Sequence, residues 1–258
     1  MKRNLKNIII DYLHQYGKLK NNDAVELLDV SLSTVRRLMI ELEEQNLVTR
    51  IHGGVQLNGD VSRYLFSEKE LKNANQKIAI ADFAANNLID DQDVIYLDSG
   101  TTIKQLALAI SRNLLSDNLK ELTVITNSLA NMEILNDFCE VILIGGIYRE
   151  KRKDFAGFAT ERFLECFNYQ KAFFGADGFD ISTGYSGNDP LTASINETVK
   201  ARTSCKHVLI DSSKFNTIGF VSYASVADID ILITDENITA EKRSQLEENN
   251  IKYYAVEL

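Results

Sequence analysis

Residues 30–55 read VSLSTVRRLMIELEEQNLVTRIHGGV, and this stretch decides the fold of the amino-terminal part of the chain. Ser31 stands at a helix N-cap, where its hydroxyl accepts a backbone N–H from the following turn. Val35, Leu38, Met39 and Leu42 then recur at i, i+3, i+4 and i+7, so one stripe of the helix must face a core. Ser33, Arg36, Arg37 and Ile40 fall largely off that stripe. Hydroxyls and guanidiniums therefore gather near the helix N-terminus, where recognition helices meet bases and phosphates. Leu47–Ile51 and Val55–Leu57 read as two short strands joined at Gly53-Gly54, both glycines being expected at the positive φ of a tight hairpin.

Working outward, Leu5, Ile8, Ile9, Tyr12, Leu13 and Tyr16 make an apolar face of helical period that stops at Gly17. A second helix is expected from about Asn22 to Leu28, with Ala24, Leu27 and Leu28 inward. Three helices and a hairpin in so short a span define a winged helix-turn-helix. Its expected partner is double-stranded operator DNA, with Ser31, Ser33, Thr34, Arg36 and Arg37 on the helix and Arg50 and His52 on the wing as contact residues. Such folds also serve as protein-interaction modules; the arginine pair and the wing favour DNA.

Charge is distributed accordingly. The 258-residue chain has a formal charge of −9, yet residues 1–57 hold eight Lys/Arg against seven Asp/Glu, and the remainder holds 20 against 30. A nearly neutral unit with its cations on one helix and a wing can bind phosphate, while the acidic remainder discourages non-specific wrapping. Cys139, Cys166 and Cys205 lack C-x-x-C spacing and are expected to be buried, apolar-like thiols in a reducing compartment. The three histidines are scattered, so no metal site is expected. No apolar run approaches the ~20 residues that span a bilayer, nor is there the apolar segment of a signal peptide, which predicts a cytoplasmic protein with no membrane partner.

Residues 58–66 break the periodic pattern and are assigned to a linker, leaving 67–258 as a second domain. A long helical pattern covers Ser67–Leu88, with Ile78, Ala81, Phe83, Ala84 and Leu88 inward. Short apolar runs then alternate with helical stretches: Val94–Leu97, Leu122–Thr126, Val141–Ile144, Ala172–Gly175, Val208–Ile210 and Ile231–Thr234. That alternation predicts an α/β domain with a mostly parallel sheet. Pro190, the single proline, is placed in a polar loop.

Ligands of such sheets gather beyond the carboxyl ends of the strands. There the sequence puts Asp98-Ser99-Gly100-Thr101-Thr102, a loop opening a helix and suited to an anion. It also puts Asn127, Gly146, Arg149, Asp177, Asp211 and Lys214 there, with Glu197 and Lys200 one turn apart on a helix. Together they form a candidate pocket for a small phosphorylated ligand. Taken singly, each loop also reads as an ordinary strand-to-helix cap, and Glu197 with Lys200 as an exposed i,i+3 ion pair.

With these residues in view the chain resembles the DeoR family of transcriptional regulators over nearly its full length. The matches are Val30-Ser31, Thr34-Val35-Arg36-Arg37 and Arg50-Ile51-His52-Gly53-Gly54 in the first part. In the second they are Asp98–Thr102, Thr126-Asn127, Gly145-Gly146 with Arg149, Gly157, Gly175 with Asp177-Gly178, Gly184, Glu197, and Asp211 with Lys214. The resemblance implies an operator reader joined to a sensor domain similar to ribose-5-phosphate isomerase, binding phosphorylated sugars or related metabolites. It also implies repression relieved by the ligand, in a homo-oligomer, dimer or tetramer. One departure is Leu38, where the family usually has Asp after the two arginines; on the stripe with Val35 and Leu42 it deepens helix packing. The rival reading is a sugar-phosphate isomerase with an accessory winged helix, built on the Asp98–Thr102 loop with Asp177, Glu197 and Lys200. The regulator reading assigns no catalytic residue and no cofactor.

Overall fold

The computed structural model describes residues 5–16, 18–44, 48–51, 53–57 and 66–258. The chain divides into two compact units, Met1–Tyr64 and Leu65–Leu258.

In the first unit, α1 (Leu5–Tyr16), β1 (Lys18–Lys20), α2 (Asn21–Leu28), α3 (Leu32–Glu44), β2 (Val48–Ile51) and β3 (Gly54–Leu57) follow in order. The apolar periods explain the packing: Ile9, Leu13, Ala24, Leu28, Val35, Leu38, Met39, Leu42, Val48 and Val55 all enter one core. Leu38 is only 8% exposed, as its place on the stripe requires. Leu27, expected to face inward, is 39% exposed. In a helix this short, Ala24 and Leu28 already fill the inward face one turn apart.

The wing differs from expectation at its glycines. Only Gly53 has positive φ, at 81°. Gly54 is needed for a different reason: a Cβ there would lie 2.2 Å from the Leu19 carbonyl oxygen. The cause is β1, a strand absent from the sequence reading, which pairs antiparallel with β3 and puts Lys20 opposite Gly54. Gly17, Leu47 and His52 lie outside the described residues, as do residues 58–65 of the expected linker.

The second unit opens with α4 (Phe66–Leu71) and α5 (Ala74–Asn87) rather than one long helix. Asn73 breaks the pattern at φ 54°, a left-handed conformation that asparagine tolerates. Phe66, assigned to the linker by the sequence pattern, begins α4 and is 4% exposed. On α5 the inward face also differs: Ile78 is 41% exposed, while Lys77 is 5% exposed beside Ile80, Ala81 and Ala84.

Alternating elements follow: β4 (Asp93–Leu97), α6 (Thr101–Leu115), β5 (Leu122–Thr126), α7 (Leu129–Leu135), β6 (Glu140–Leu143), β7 (Ile147–Arg149), β8 (Asp154–Ala156), α8 (Phe158–Leu164), β9 (Tyr169–Phe174), β10 (Gly178–Asp180), β11 (Gly184–Gly187) and α9 (Pro190–Lys200). The chain ends with β12 (Thr203–Leu209), β13 (Val221–Ala224), β14 (Ile231–Asp235), α10 (Ala240–Glu248) and β15 (Tyr253–Val256). Seven strands form one parallel sheet in the order β15-β14-β12-β9-β4-β5-β6. Apolar clusters pack on it: one around Tyr96, Tyr169 and Phe174, the other around Ile95, Leu97, Ile103 and Ile110. The edge strand β15, the β7–β8 hairpin and a small β10-β11-β13 sheet were not foreseen. Pro190 proves to be the first helical residue of α9, where its missing N–H costs nothing. Nor are the thiols deeply buried: Cys166 is exposed, and Cys139 and Cys205 are intermediate.

Candidate functional site

The helix expected to meet DNA is capped as the sequence requires. The Thr34 amide donates to Ser31 Oγ at 3.3 Å, and that hydroxyl also lies 2.9 Å from Ser33 Oγ and 3.0 Å from Thr34 Oγ1. Arg36 and Arg37 are exposed on the face opposite the stripe. Among the described residues Arg37 has one loose ion-pair contact, with Glu41, Nε to Oε1 3.9 Å, and its side chain is 72% exposed. On the wing the Arg50 amide donates to Glu43 of α3 at 3.2 Å, and the Arg50 guanidinium lies 3.9 Å from the same carboxylate, fixing β2 against α3.

At the carboxyl ends of the parallel strands the second unit gathers its charges. After β4, Asp98 is 3% exposed and accepts from the amides of Ser99 (2.7 Å) and Gly175 (3.1 Å). Burial pushes its pKa up, and those two amides only partly oppose the shift. Gly100 caps α6 without a side-chain hydrogen bond, so the positive end of that helix carries no side-chain cap. Thr101 and Thr102 are buried in that first turn.

After β9, Asp177 accepts from the Asn188 amide at 3.0 Å and pairs with Lys69 at 3.4 Å. Burial alone would raise its pKa, but Lys69, the Asn188 amide, Lys214 and Arg152 outweigh this and hold the carboxyl below its usual range. After β12, Asp211 accepts from Asn73 at 2.8 Å and from the Ser213 amide at 3.1 Å. Among the described residues Lys214 has no ion-pair partner within 4.0 Å, although Asp177 and Asp211 attract it. Burial, followed by the charge of Lys69, depresses its pKa.

Other expected ligand residues are committed elsewhere. Asn127 is wholly buried, accepting from the Tyr96 hydroxyl at 2.9 Å and donating to the Phe155 carbonyl at 2.7 Å. Arg149 grips Asp154 with two hydrogen bonds of 2.7 Å and reaches Asp189 (2.7 Å) and Thr192 (3.0 Å). It thereby ties the β7–β8 hairpin to the start of α9. Gly146 lies against Thr160, whose hydroxyl would be 2.0 Å from a Cβ at that position. Glu197 is exposed partway along α9. Lys200, at the end of that helix, is held by Asp228 (3.0 Å) and the Tyr223 carbonyl (2.9 Å), not by Glu197.

Sequence reasoning missed the group that organises this end of the sheet. Asp154 is fully buried, accepts from Ser99 Oγ at 2.8 Å, and faces both Arg149 and Arg152. Its only signal was its place directly after the basic run 149–153. Lys69, Asn73 and Lys77 were missed as well, because α4 and α5 read as a plain amphipathic helix. Among the described residues no cluster of His, Cys, Asp or Glu could hold a metal, and no helix is long and apolar enough to cross a membrane. A cavity of about 460 Å³ bordered by Gln92, Lys120, Glu121 and Glu140 lies at the opposite, amino end of the sheet, away from this charge cluster.

A winged helix-turn-helix with exposed arginines, carried on one chain with a parallel α/β unit, defines a DNA-binding regulator with a separate regulatory domain. Family models agree: residues 6–61 match the DeoR-like helix-turn-helix domain and residues 72–236 the DeoR C-terminal sensor domain. The chain belongs to the DeoR family of transcriptional regulators. It is 34% identical over 97% of its length to the uncharacterised HTH-type transcriptional regulator YulB of Bacillus subtilis, of which 95% is covered. It is 33% identical over 93% of its length to the lactose phosphotransferase system repressor of Staphylococcus epidermidis, of which 94% is covered. Among solved structures, ribose 5-phosphate isomerase A of Methanocaldococcus jannaschii is similar with a TM-score of 0.42 and 19% identity, over 56% of this chain and 55% of that one. A likeness of that size bears on neither activity nor ligand.

Proposed function

We propose that this regulator represses a carbohydrate-utilisation operon, reading double-stranded operator DNA through residues 1–57 and sensing a phosphorylated sugar through residues 67–258. The observation that carries the sensing half is Lys214, a part-buried ammonium with no ion-pair partner among the described residues at the ligand end of the sheet. A desolvated cation of this kind is stabilised by an incoming phosphate. The open amino end of α6 and the Asp98–Thr102 loop offer further donors, while Asp98, Asp177 and Asp211 suit sugar hydroxyls.

On the DNA side Ser31, Ser33, Thr34, Arg36 and Arg37 supply the helix contacts and Arg50 and His52 the wing contacts. Ser31 and the hydroxyls it engages hold the first turn, and the exposed guanidiniums of Arg36 and Arg37, the latter only loosely paired with Glu41, are presented to phosphates and base edges. Action in the cytoplasm as a dimer or tetramer fits a repressor whose operator affinity must be set by few cations per chain. Ligand binding must differ between DNA-competent and incompetent arrangements to shift anything.

The test is a fluorescence-anisotropy titration of full-length protein against DNA from upstream of its own gene, with and without sugar phosphates. Release of the DNA by a phosphorylated sugar, lost in Lys214→Gln, is the expected result. Equal operator affinity with every phosphorylated sugar tried, alongside no thermal shift, would overturn the sensing half. The isomerase alternative gains nothing from the geometry, since Glu197 is exposed and Lys200 is engaged by Asp228.

A further inference from the structure

The first described element after residue 65 crosses the ligand end of the sheet and is tied to it mostly by polar links. The Phe66 amide donates to the Lys151 carbonyl at 3.2 Å. Lys69 pairs with Asp177 after β9, and Glu70 accepts from Lys104 on α6 at 2.5 Å. Asn73, at the kink between α4 and α5, donates to Asp211 at 2.8 Å and to Ser213 Oγ at 3.1 Å, both after β12. Lys77 reaches back to donate to the Lys69 carbonyl. Apolar anchorage is one-sided, for Phe66 at the start of α4 is 4% exposed while Leu71 at its end is 80% exposed.

We infer that α4 and the kink at Asn73 form a strap over the effector site, and that a phosphomonoester bearing hydroxyls takes Lys69 from Asp177 and so shifts the strap. This rests on the reading of the strand ends as a phosphate site given above. Asp177 is attracted by both Lys69 and Lys214, so it occupies the region of positive potential a phosphate would seek. A phosphate offers those ammoniums more charge and more acceptor oxygens than one carboxylate does. Asp177 and Asp211 are then left to accept from the sugar's hydroxyls, and Asn73 loses part of its tie to Asp211.

Partly exposed ion pairs are weak restraints, which makes such an exchange feasible for a small ligand. Its consequence is directional in sequence, because the strap is continuous with the chain that leads back to the DNA-reading unit. A ligand that binds only by displacing the Lys69–Asp177 pair has different affinities for the two positions of the strap, the requirement for shifting their populations.

Inorganic phosphate serves as the probe, titrated calorimetrically into full-length wild type, Lys69→Gln, Lys214→Gln and Asp177→Asn, with amide hydrogen exchange followed at residues 66–77. Loss of one charge-assisted contact should weaken phosphate binding roughly tenfold in Lys69→Gln and in Lys214→Gln. Asp177→Asn should strengthen it, since the competing carboxylate charge is gone. Phosphate should also speed exchange over Phe66–Leu71 in the wild type. Wild-type affinity in Lys69→Gln with loss in Lys214→Gln would overturn the strap and leave the site standing. Unchanged exchange over Phe66–Leu71 at saturating phosphate would also overturn the strap. No saturable binding by the wild type, or no effect of either lysine change, would remove the phosphate site and the strap with it. Lys69 is a partly exposed residue, and a urea melt of each variant separates lost binding from lost fold.

Discussion

Arginine has opposite uses in the two units. Arg36 and Arg37 lie on the outside of α3 over a small apolar core, and among the described residues their one ion-pair contact is a loose one of 3.9 Å from Arg37 to Glu41. Arg149, by contrast, is closed within hydrogen bonds to Asp154, Asp189 and Thr192, and Asp154 is fully buried. An exposed guanidinium keeps its five donors for a partner, whereas a buried one spends them on architecture. Basic residues in a sequence are therefore not equally available: Arg36 and Arg37 stay on the surface of α3, whereas Arg149 and Arg152 face the buried Asp154 and hold the strand-end loops in place.

The sharpest way to break this contrast is Asp154→Ala. It leaves Arg149 with Asp189 and Thr192, takes the buried carboxylate from Arg149 and Arg152 and frees Ser99, and should cost about 3–5 kcal/mol in a urea melt. A loss under about 1 kcal/mol would mean that the buried network does not hold the strand-end loops.

Next comes His207, which stacks on Phe173 with ring centroids 4.6 Å apart and is 2% exposed. Burial lowers its pKa to about 4, against 6.5 for the free side chain. Below pH 6.5 the unfolded chain takes up a proton that the folded chain refuses until about pH 4, so stability falls as pH drops through that window. The loss approaches about 3 kcal/mol. His207→Phe should flatten the stability profile between those pH values, and an unaltered slope would show that other groups set it.

A smaller effect, on binding alone, is expected at α3. Arg37→Ala should weaken operator binding by about 1–3 kcal/mol and reduce the salt slope of the affinity by about one if a phosphate contact is lost. Its melting curve should match the wild type within about 0.5 kcal/mol. Anisotropy titrations at several salt concentrations check both, and a stability loss without a binding loss would reverse the comparison. Smallest of all, Ser31→Ala removes the cap on Thr34 and should destabilise the winged unit by about 1 kcal/mol. Faster amide exchange in the first turn of α3 is the readout.

Much of the fold was legible because its signals are local. The Val35-Leu38-Met39-Leu42 stripe, the Ser31 cap and the apolar runs that became six of the seven parallel strands are short-range patterns, and each survived folding. β15 escaped because its Tyr253–Val256 segment is short, begins with two tyrosines and lies at the sheet's edge, where most of it is only half-buried or exposed. Lys77 escaped for a stronger reason. Periodicity assigns a lysine outward and Ile78 inward, yet the kink at Asn73 breaks the register of the preceding helix, and Lys77 finds the Lys69 carbonyl.

The candidate site divided in the same way. Asp98, Asp177, Asp211 and Lys214 were placed by the rule that ligands sit past the carboxyl ends of parallel strands, and the structure brings them to one end of the sheet. Nothing in the spacing of Asn127 or Arg149 showed that Tyr96, Phe155, Asp154 and Asp189 would already engage them.

By itself the sequence determined the helix-turn-helix, the parallel α/β plan and the family, because caps, periods and strand-end loops are written within a few residues of one another. Tertiary structure alone decided which charges remain available. Whether an arginine or a carboxylate is engaged depends in part on distant partners, such as Asp189 for Arg149 and Asn73 for Asp211, 40 and 138 positions away, brought together only when the strand ends converge.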